Sequence, residues 1–347
     1  MADVPPYRAD RSGSGFEEIL VLEGGPFHAH AKVFHTIGGN FAAWTLRDPV
    51  TGETLDILEA PVDHGQLSYL PTSFGTPVLL PFPNRLRDGR FESEGRVHQV
   101  EVDPRRGHAI HGAVRSAVWA VDALEADAHG ARAVLSQALR PETHGARWPF
   151  ALDARLTYEI REAEVRLTLD LHNVDAVAQP WGYGLHPYFR MPWVPGGAWE
   201  DYTLEIPCAG IWKLDADLLP TGEVEPVAGE LDYRSPKRLR AGEPLDHVFT
   251  GISRTDARGW SAVRLRHAPT GLELEVAGDP QVREWVVYVP KAPRSSIAVE
   301  PYTCTTDAFN LSQRGVDAGR RELAPGATAR VEVAYRLHLP CAPGAGR

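Results

Sequence analysis

Apolar and polar residues alternate with a period of two in segments spread along the whole chain. Leu156, Tyr158 and Ile160 lie on one face of such a segment, a polar turn follows, and the alternation returns over residues 165–171. Successive side chains of a β-strand point to opposite faces of a sheet, so this pattern predicts a hairpin of two strands, each with one buried face. An amphipathic helix would instead repeat its apolar positions every ~3.6 residues.

The same alternation predicts strands elsewhere in the chain. Residues 44–57 and 263–276 each contain two alternating segments joined by a turn, and a final strand is expected over residues 331–339. The 29 prolines and 32 glycines interrupt the chain at short intervals, as turns do. The sequence therefore predicts an all-β, mostly antiparallel fold whose strands bury one face.

No shift in composition marks a domain boundary, so residues 1–347 are expected to form a single domain. Residues 1–15 and 341–347 are rich in small and polar residues and are expected to be flexible tails. The first of these segments lacks the apolar core of a signal peptide, so it is interpreted as a polar arm.

Charge and cysteine content exclude several classes of protein. The net charge of −10 opposes binding to nucleic acid, and no stretch has the ~20 apolar residues that a membrane span needs. The three cysteines, Cys208, Cys304 and Cys341, show no CxxC spacing, which argues against both a disulfide framework and a zinc knuckle. A cytoplasmic protein is expected.

A carboxylate at position 300 is the first candidate for chemistry. Glu300 follows a strand-like segment and precedes Pro301, which lacks a backbone donor. The strand is therefore expected to end or kink there, at an edge or rim of the sheet, where a carboxylate can point into a cleft. The alternative is a surface glutamate beside a turn.

Other polar residues lie in segments with turn and aromatic residues. The residues of interest are Asn84, Arg85, His108, His111, His186, Tyr188 and Asp246. Each has a structural explanation when it is considered alone. His108 and His111 lack a nearby third ligand, so a metal site is not expected. Together, however, imidazoles, carboxylates and a guanidinium beside aromatic rings are the groups that bind a sugar in a concave pocket.

Five segments resemble the aldose 1-epimerase (galactose mutarotase) family: PNRLRDGRF, HAIHG, GYGLHPYF, LDHVF and VEPYTCTTDAFNL, which lie within residues 81–311. The resemblance implies a large twisted antiparallel β-sandwich, the galactose mutarotase-like supersandwich. It also implies an isomerase, an aldose 1-epimerase that interconverts the α and β anomers of free aldoses such as glucose or galactose. No cofactor and no metal are implied, the partner is a monosaccharide, and the protein is expected to be a monomer or homodimer.

The resemblance also implies roles for individual residues. Glu300 would take the proton of the anomeric hydroxyl, His186 would protonate the ring oxygen, and His111 would be a second imidazole near that oxygen. Four residues would bind the substrate: Arg85, Asp246, Asn84 and Tyr188. Two departures from the family's pattern, Ala113 in place of a second glycine and Thr305-Thr306 in place of two prolines, leave the preferred sugar open.

Two alternatives remain open at this point. A hexose-6-phosphate 1-epimerase would need a clamp for the phosphate, which four arginines could form: Arg87, Arg105, Arg106 and Arg115. A non-catalytic sugar-binding protein would keep the pocket without needing both Glu300 and His186.

Overall fold

The computed structural model describes residues 4–339, of which nearly all regular elements are strands. Strands make up 47% of the structure and helices 8%, which confirms the predicted all-β class. The strands are β1 (Arg8–Ser12), β2 (Ile19–Gly24), β3 (Ala29–Phe34), β4 (Asn40–Arg47), β5 (Thr54–Asp56), β6 (Val78–Leu79), β7 (Arg85–Leu86), β8 (Arg90–Ser93), β9 (Arg96–Gln99), β10 (Ala109–Ile110), β11 (Ala120–Ala126), β12 (Ala131–Leu139), β13 (Leu152–Arg161), β14 (Glu164–Asn173), β15 (Gln179–Trp181), β16 (Gly184–Leu185), β17 (Tyr188–Arg190), β18 (Tyr202–Glu205), β19 (Cys208–Leu214), β20 (Pro220–Pro226), β21 (Lys237–Arg238), β22 (Asp246–Ile252), β23 (Ser261–His267), β24 (Glu273–Gly278), β25 (Glu284–Tyr288), β26 (Ser296–Tyr302), β27 (Arg321–Leu323) and β28 (Thr328–His338).

The helices are short. They are α1 (His64–Tyr69), α2 (Pro141–His144) and α3 (Ala308–Gln313), with single 3-10 turns at Gly15–Glu17, Arg87–Gly89, Trp199–Asp201 and Gly229–Leu231. No helix between residues 4 and 339 is long and apolar enough to cross a membrane.

Two large antiparallel sheets form the body of the protein. The nine-stranded sheet has the order β11-β12-β13-β14-β28-β24-β23-β18-β21, and the eight-stranded sheet contains β20-β19-β22-β25-β26-β16-β6 with β17 also paired to β26. The hairpins predicted from alternation are confirmed: Leu156 faces Leu169 across β13 and β14, and equivalent pairings join β4 to β5 and β23 to β24.

The core lies between the two large sheets. Tyr158, Leu167 and Val333 of the nine-stranded sheet belong to the same buried apolar cluster as Val287 and Val299 of the eight-stranded sheet. Burial of these facing sides removes apolar surface from water, which is the main favourable contribution to folding. The period-two pattern thus leaves the opposite face of the eight-stranded sheet free to carry other side chains.

The prediction of a flexible tail over residues 1–15 is wrong for Arg8–Ser12, which form β1 and pair with β2 at the edge of a five-stranded sheet. Tyr7 helps to hold this segment, because its hydroxyl accepts a hydrogen bond from the backbone N–H of Glu162 at 2.7 Å. Backbone pairing stabilises β1 although its sequence is almost entirely polar. The expected tail at 341–347 lies outside the described residues.

The expectation that a strand ends or kinks at Glu300 and Pro301 is also wrong. β26 continues through Tyr302, every one of its residues is buried, and it lies inside the eight-stranded sheet rather than at a rim. Pro301 faces Trp285 on one side. On its other side β26 pairs first with β16 and then with β17, and the ladder is interrupted between these two strands at residues 186–187. The N–H that Pro301 lacks is therefore missing beside an existing interruption of the ladder.

Candidate active site

Strand register places His186 beside Glu300. Gly184 faces Tyr302 and Tyr188 faces Ala298, so the residue midway between Gly184 and Tyr188 comes to lie across from Glu300. Both side chains belong to the face of β26 and its neighbours that points away from the core. A separate apolar cluster lies on the same face: Leu79, Trp212, Val248, Val286 and Tyr302.

Glu300 and His186 form a buried pair of titratable groups. Glu300 is 1% exposed and His186 is 7% exposed, and the distance from Nε2 of His186 to Oε1 of Glu300 is 3.3 Å. Burial raises the pKa of Glu300 well above its usual value and lowers the pKa of His186 to about 3. Both shifts have the same cause, because a low-dielectric environment disfavours the charged form of each group.

The second oxygen of the Glu300 carboxyl is held by Tyr302. The tyrosine hydroxyl donates a hydrogen bond of 2.5 Å to Oε2 of Glu300, which opposes the effect of burial on the pKa of that carboxyl. Tyr302 is fully buried. The carboxyl therefore presents Oε1 toward His186 while Oε2 is fixed from the side.

The ring of His111 lies against the imidazole of His186. The two rings meet edge to face with centroids 5.7 Å apart. Burial lowers the pKa of His111 well below its usual value, with the nearby His186 and Arg115 adding to the effect. Nδ1 of His111 and Nδ1 of His186 are buried without a hydrogen-bond partner among residues 4–339, which is uncommon for buried polar atoms.

A tight turn sets the position of His111. His111 has a φ of 60° and the following Gly112 has a φ of 67°. A Cβ on Gly112 would lie 2.1 Å from the carbonyl oxygen of Leu80, so glycine alone fits there. The backbone N–H of His111 donates to the carbonyl of Asn84 at 2.8 Å, which joins two of the segments that resemble the family.

Asn84 and Arg85 belong to the same turn. Oδ1 of Asn84 accepts hydrogen bonds from the backbone N–H of Arg85 at 2.9 Å and from its Nη1 at 3.3 Å. The carbonyl of Arg85 accepts the backbone N–H of Asp307, and Oδ1 of Asp307 accepts the N–H of Arg87, each at 2.9 Å. Asp307, just after the Thr305-Thr306 pair, therefore fixes the loop that carries Arg85.

Asp246 begins β22 and faces Tyr288 across the ladder to β25. Although Asp246 is exposed, the surrounding protein partly desolvates its carboxyl and raises its pKa, while the positive charge of Arg85 opposes that rise. Partial burial likewise lowers the pKa of Arg85, and Asp246 opposes this shift. The structure thus brings together Asn84, Arg85, His111, His186, Asp246 and Glu300, which lie far apart in the chain.

Tyr188 was predicted to bind the substrate, and two side chains lie against its ring. His186 is stacked on one face, with ring centroids 4.5 Å apart, and the guanidinium of Arg294 lies 4.3 Å from the ring centroid. The hydroxyl of Tyr188 donates to the carbonyl of Thr72 at 3.1 Å. Tyr188 thus contacts His186 directly, and its role in binding substrate stays a prediction.

Residues 4–339 contain no group of three His, Cys, Asp or Glu side chains that could hold a metal ion. His108 lies near His111 in sequence but faces another neighbour: its Nδ1 accepts the backbone N–H of Asp88 at 3.0 Å.

Sequence reasoning gave no role to Tyr302, Tyr288 or Arg294. Period-two alternation does place Tyr302 on the same face as Glu300, so that signal was present. Tyr288 lies edge to face with His186 at a centroid distance of 6.2 Å, a contact that depends on the pairing of β25 with β26.

The loss of the Tyr302 hydroxyl tests the hydrogen bond to Glu300. Tyr302→Phe is expected to lower kcat for the reaction proposed below by about 10-fold or more, because a charge-assisted hydrogen bond to the carboxylate is removed. Tyr183→Phe is the matched control, since the buried hydroxyl of Tyr183 has no partner among the described residues. Equal activity of the two variants would contradict a role for Tyr302.

Fold and site together define the class: an antiparallel β-sandwich of the galactose mutarotase-like type, with a buried carboxyl and imidazole pair on the outer face of one sheet. The family model for aldose 1-epimerase matches residues 32–336. The chain belongs to the aldose 1-epimerase family.

Relatives and solved structures agree with this assignment. The chain is 26% identical to the uncharacterized protein YihR of Escherichia coli K12 over 84% of this chain and 86% of that protein. It is 26% identical to human galactose mutarotase over 205 residues, which is 56% of each chain.

Two crystal structures share the fold over nearly their whole length. A galactose mutarotase-like protein from Clostridium acetobutylicum superposes with a TM-score of 0.85 at 20% identity, covering 96% of this chain and 99% of that one. Galactose 1-epimerase from Lactobacillus acidophilus gives a TM-score of 0.75 at 18% identity, with the same coverage.

Proposed function

We propose that the protein is an aldose 1-epimerase that interconverts the α and β anomers of a free aldose such as glucose or galactose. The observation that carries the proposal is the buried pair formed by Glu300 of β26 and His186 of the segment between β16 and β17, whose Oε1 and Nε2 atoms are 3.3 Å apart. The names of two matched proteins, human galactose mutarotase and the galactose 1-epimerase of Lactobacillus acidophilus, support it. We expect a monosaccharide to be the sole ligand required, with no cofactor.

The reaction needs two protein groups, one that exchanges a proton with O1 of the sugar and one that exchanges a proton with O5. Anomers interconvert when the C1–O5 bond breaks to give an open aldehyde, C1–C2 rotates, and the ring closes on the other face of the carbonyl. Ring opening removes a proton from O1 and adds a proton to O5, and ring closure reverses both transfers. O1 and O5 are bonded to the same carbon, so Glu300 and His186 are close enough to serve both oxygens at once.

In this proposal Glu300 takes the O1 proton as a carboxylate and His186 delivers a proton to O5 as an imidazolium. His111 is near the same oxygen, while Arg85, Asp246 and Asn84 bind ring hydroxyls. Burial favours the neutral form of the empty pair, in which Glu300 holds the proton. The neutral pair and the ion pair contain the same single proton, and its transfer from Glu300 to His186 produces the reactive form.

The pair's single proton predicts the pH dependence. A second proton must enter a buried site to stop the reaction at low pH, and the pKa of His186 is lowered to about 3, mainly by burial. Loss of the shared proton stops it at high pH, and burial raises the pKa of Glu300. We therefore expect kcat/KM to show a broad plateau across neutral pH, with its acid limb far below the ordinary imidazole value of 6.5.

The measurement is kcat/KM by polarimetry from about pH 4 to pH 9, with buffer-catalysed mutarotation subtracted at each point. A plateau supports a shared proton in a buried pair. Half-maximal activity near pH 6.5 on the acid side would show that His186 titrates like an exposed imidazole, and would contradict the proposal that the buried pair shares a single proton.

The hexose-6-phosphate alternative finds less support in the structure. Arg87 pairs with Asp215 at 2.7 Å, and Asp103 pairs with both Arg105 and Arg106. Arg115 donates to the carbonyl of Ile110 at 2.5 Å. The four candidate arginines are thus engaged with separate partners, and a phosphate dianion would have to compete with a carboxylate at three of them.

Polarimetry on freshly dissolved sugars tests the proposal. The panel is α-glucose, α-galactose, a pentose and glucose 6-phosphate, each compared with the buffer rate. Acceleration for at least one free aldose supports the proposal, and acceleration for glucose 6-phosphate alone would favour the phosphate-specific alternative. Sugar binding measured by calorimetry without any acceleration would show a sugar-binding protein that does not catalyse epimerisation.

A further inference from the structure

Three aromatic rings and one guanidinium form a layered stack that ends at the catalytic imidazole. The guanidinium of Arg294 lies between two rings, 4.9 Å from the centroid of Phe74 and 4.3 Å from that of Tyr188. Tyr188 in turn stacks on His186 with an angle of 19° between the ring planes. A planar cation between aromatic faces is a favourable arrangement that fixes the orientation of every layer.

A carboxylate and several backbone groups hold the stack in place. Glu59 accepts hydrogen bonds from Nε of Arg294 at 3.2 Å and from its Nη2, which makes the ion pair bidentate. The backbone N–H of Glu59 donates to the carbonyl of Tyr188, and the N–H of Tyr188 donates to the carbonyl of Gly75, each at 2.8 Å. Backbone groups of Glu59 and Gly75 therefore hold Tyr188, and the carboxylate of Glu59 holds Arg294 beside it.

We propose that Arg294 is a positioning residue that acts through Tyr188 to hold His186 in the orientation that directs Nε2 toward Glu300. This inference rests on the proposed function, because it concerns the residue assigned there as the acid. Arg294 is not a catalytic residue in this proposal. Its guanidinium contacts the ring of Tyr188, and that ring stacks on the imidazole.

The charge of Arg294 has a second effect on His186. The titratable groups that face the imidazole are Glu300 on β26, Tyr288 on β25, Tyr188 at the start of β17, and His111 on the turn after β10. Arg294 adds a positive charge behind Tyr188, which lowers the pKa of His186 further after the larger effect of burial. Glu59 partly balances this charge, so the two residues of the ion pair influence His186 in opposite directions.

Two substitutions with opposite electrostatic effects test the proposal. Arg294→Met keeps an unbranched side chain of similar length but removes the planar cation, whereas Glu59→Gln keeps the shape of the counter-ion and removes its charge. Arg336→Met is the matched control, because Arg336 in the nine-stranded sheet also lies over a ring, that of Trp260 at 5.5 Å, and pairs with Glu164 and Glu275.

The expected results have opposite signs. Arg294→Met should reduce kcat by about 10-fold with a smaller change in KM, because the imidazole loses its support. It should also raise the pKa of His186, measured by NMR of labelled histidine with the resonance assigned from His186→Asn. Glu59→Gln should lower that pKa, and Arg336→Met should change neither kcat nor the pKa.

Equal kcat for Arg294→Met and Arg336→Met, or an unchanged pKa of His186 in both Arg294→Met and Glu59→Gln, would overturn the proposal. If Arg294→Met does not fold, Glu59→Gln alone decides through the direction of its pKa shift. The NMR titration needs no turnover. If the wild-type protein accelerates no mutarotation, the proposed function fails, while the titration still shows whether Arg294 controls His186.

Discussion

Glu300→Gln is expected to reduce kcat for mutarotation by at least about 10²-fold, because it removes the group proposed to take the O1 proton. Glutamine preserves the size of the side chain and can still accept the hydrogen bond from Tyr302. It cannot accept a proton at neutral pH. The sugar should still bind, since the groups assigned to the ring hydroxyls remain, so the loss is expected in kcat more than in KM.

Glu284→Gln is the matched control for that experiment. Glu284 is also a fully buried carboxyl on the outer face of the eight-stranded sheet, and it faces Tyr302 across the ladder. Its oxygens accept hydrogen bonds from Trp212 at 3.2 Å and Arg283 at 3.1 Å. Kinetics should therefore separate the two buried carboxyls, and equal loss in both variants would show that Glu300 acts through stability rather than through chemistry.

The class of fold was predictable because its signal is local. Alternation at Leu156, Tyr158 and Ile160 requires only that neighbouring residues face opposite sides of a sheet, and the structure pairs these residues with β14 as expected. The prediction for Arg8–Ser12 was wrong because the signal that makes this segment a strand is not local. That segment has one apolar residue, Ala9, and becomes a strand through backbone pairing with β2, which alternation does not report.

The error at Pro301 shows why local rules fail inside a large sheet. A proline in a strand usually indicates an edge, since it lacks a donor for the ladder. Here the neighbouring chain is itself interrupted between β16 and β17, at the residues that place His186. The interruption that accommodates Pro301 is therefore also the feature that brings the imidazole to Glu300, and register across more than 100 residues cannot be derived from either segment alone.

The supporting residues were harder to predict than the polar residues of the site. Arg294 and Glu59 resemble ordinary surface charges in the sequence, and their significance depends on which aromatic faces they meet. Tyr188 was predicted to bind the substrate, and sequence does not reveal that His186 and Arg294 both lie against its ring. Stacking partners are set by tertiary packing, whereas the types of catalytic side chain are visible in the motifs.

His186→Asn is expected to lower kcat by about 10² to 10⁴-fold, because asparagine retains some hydrogen bonding but cannot transfer a proton to O5. The stack should tolerate the change, since Tyr188 remains fixed by Arg294 and by its backbone bonds. Combining His186→Asn with Glu300→Gln should lower kcat by far less than the product of the two single losses, because either substitution already blocks the same coupled proton exchange.

His111→Asn tests whether the role of acid is assigned to the right imidazole. The two imidazoles lie only 5.7 Å apart. Near-normal turnover in His186→Asn together with complete loss in His111→Asn would transfer the role of acid to His111, because the proton on O5 would then come from the other side of the site.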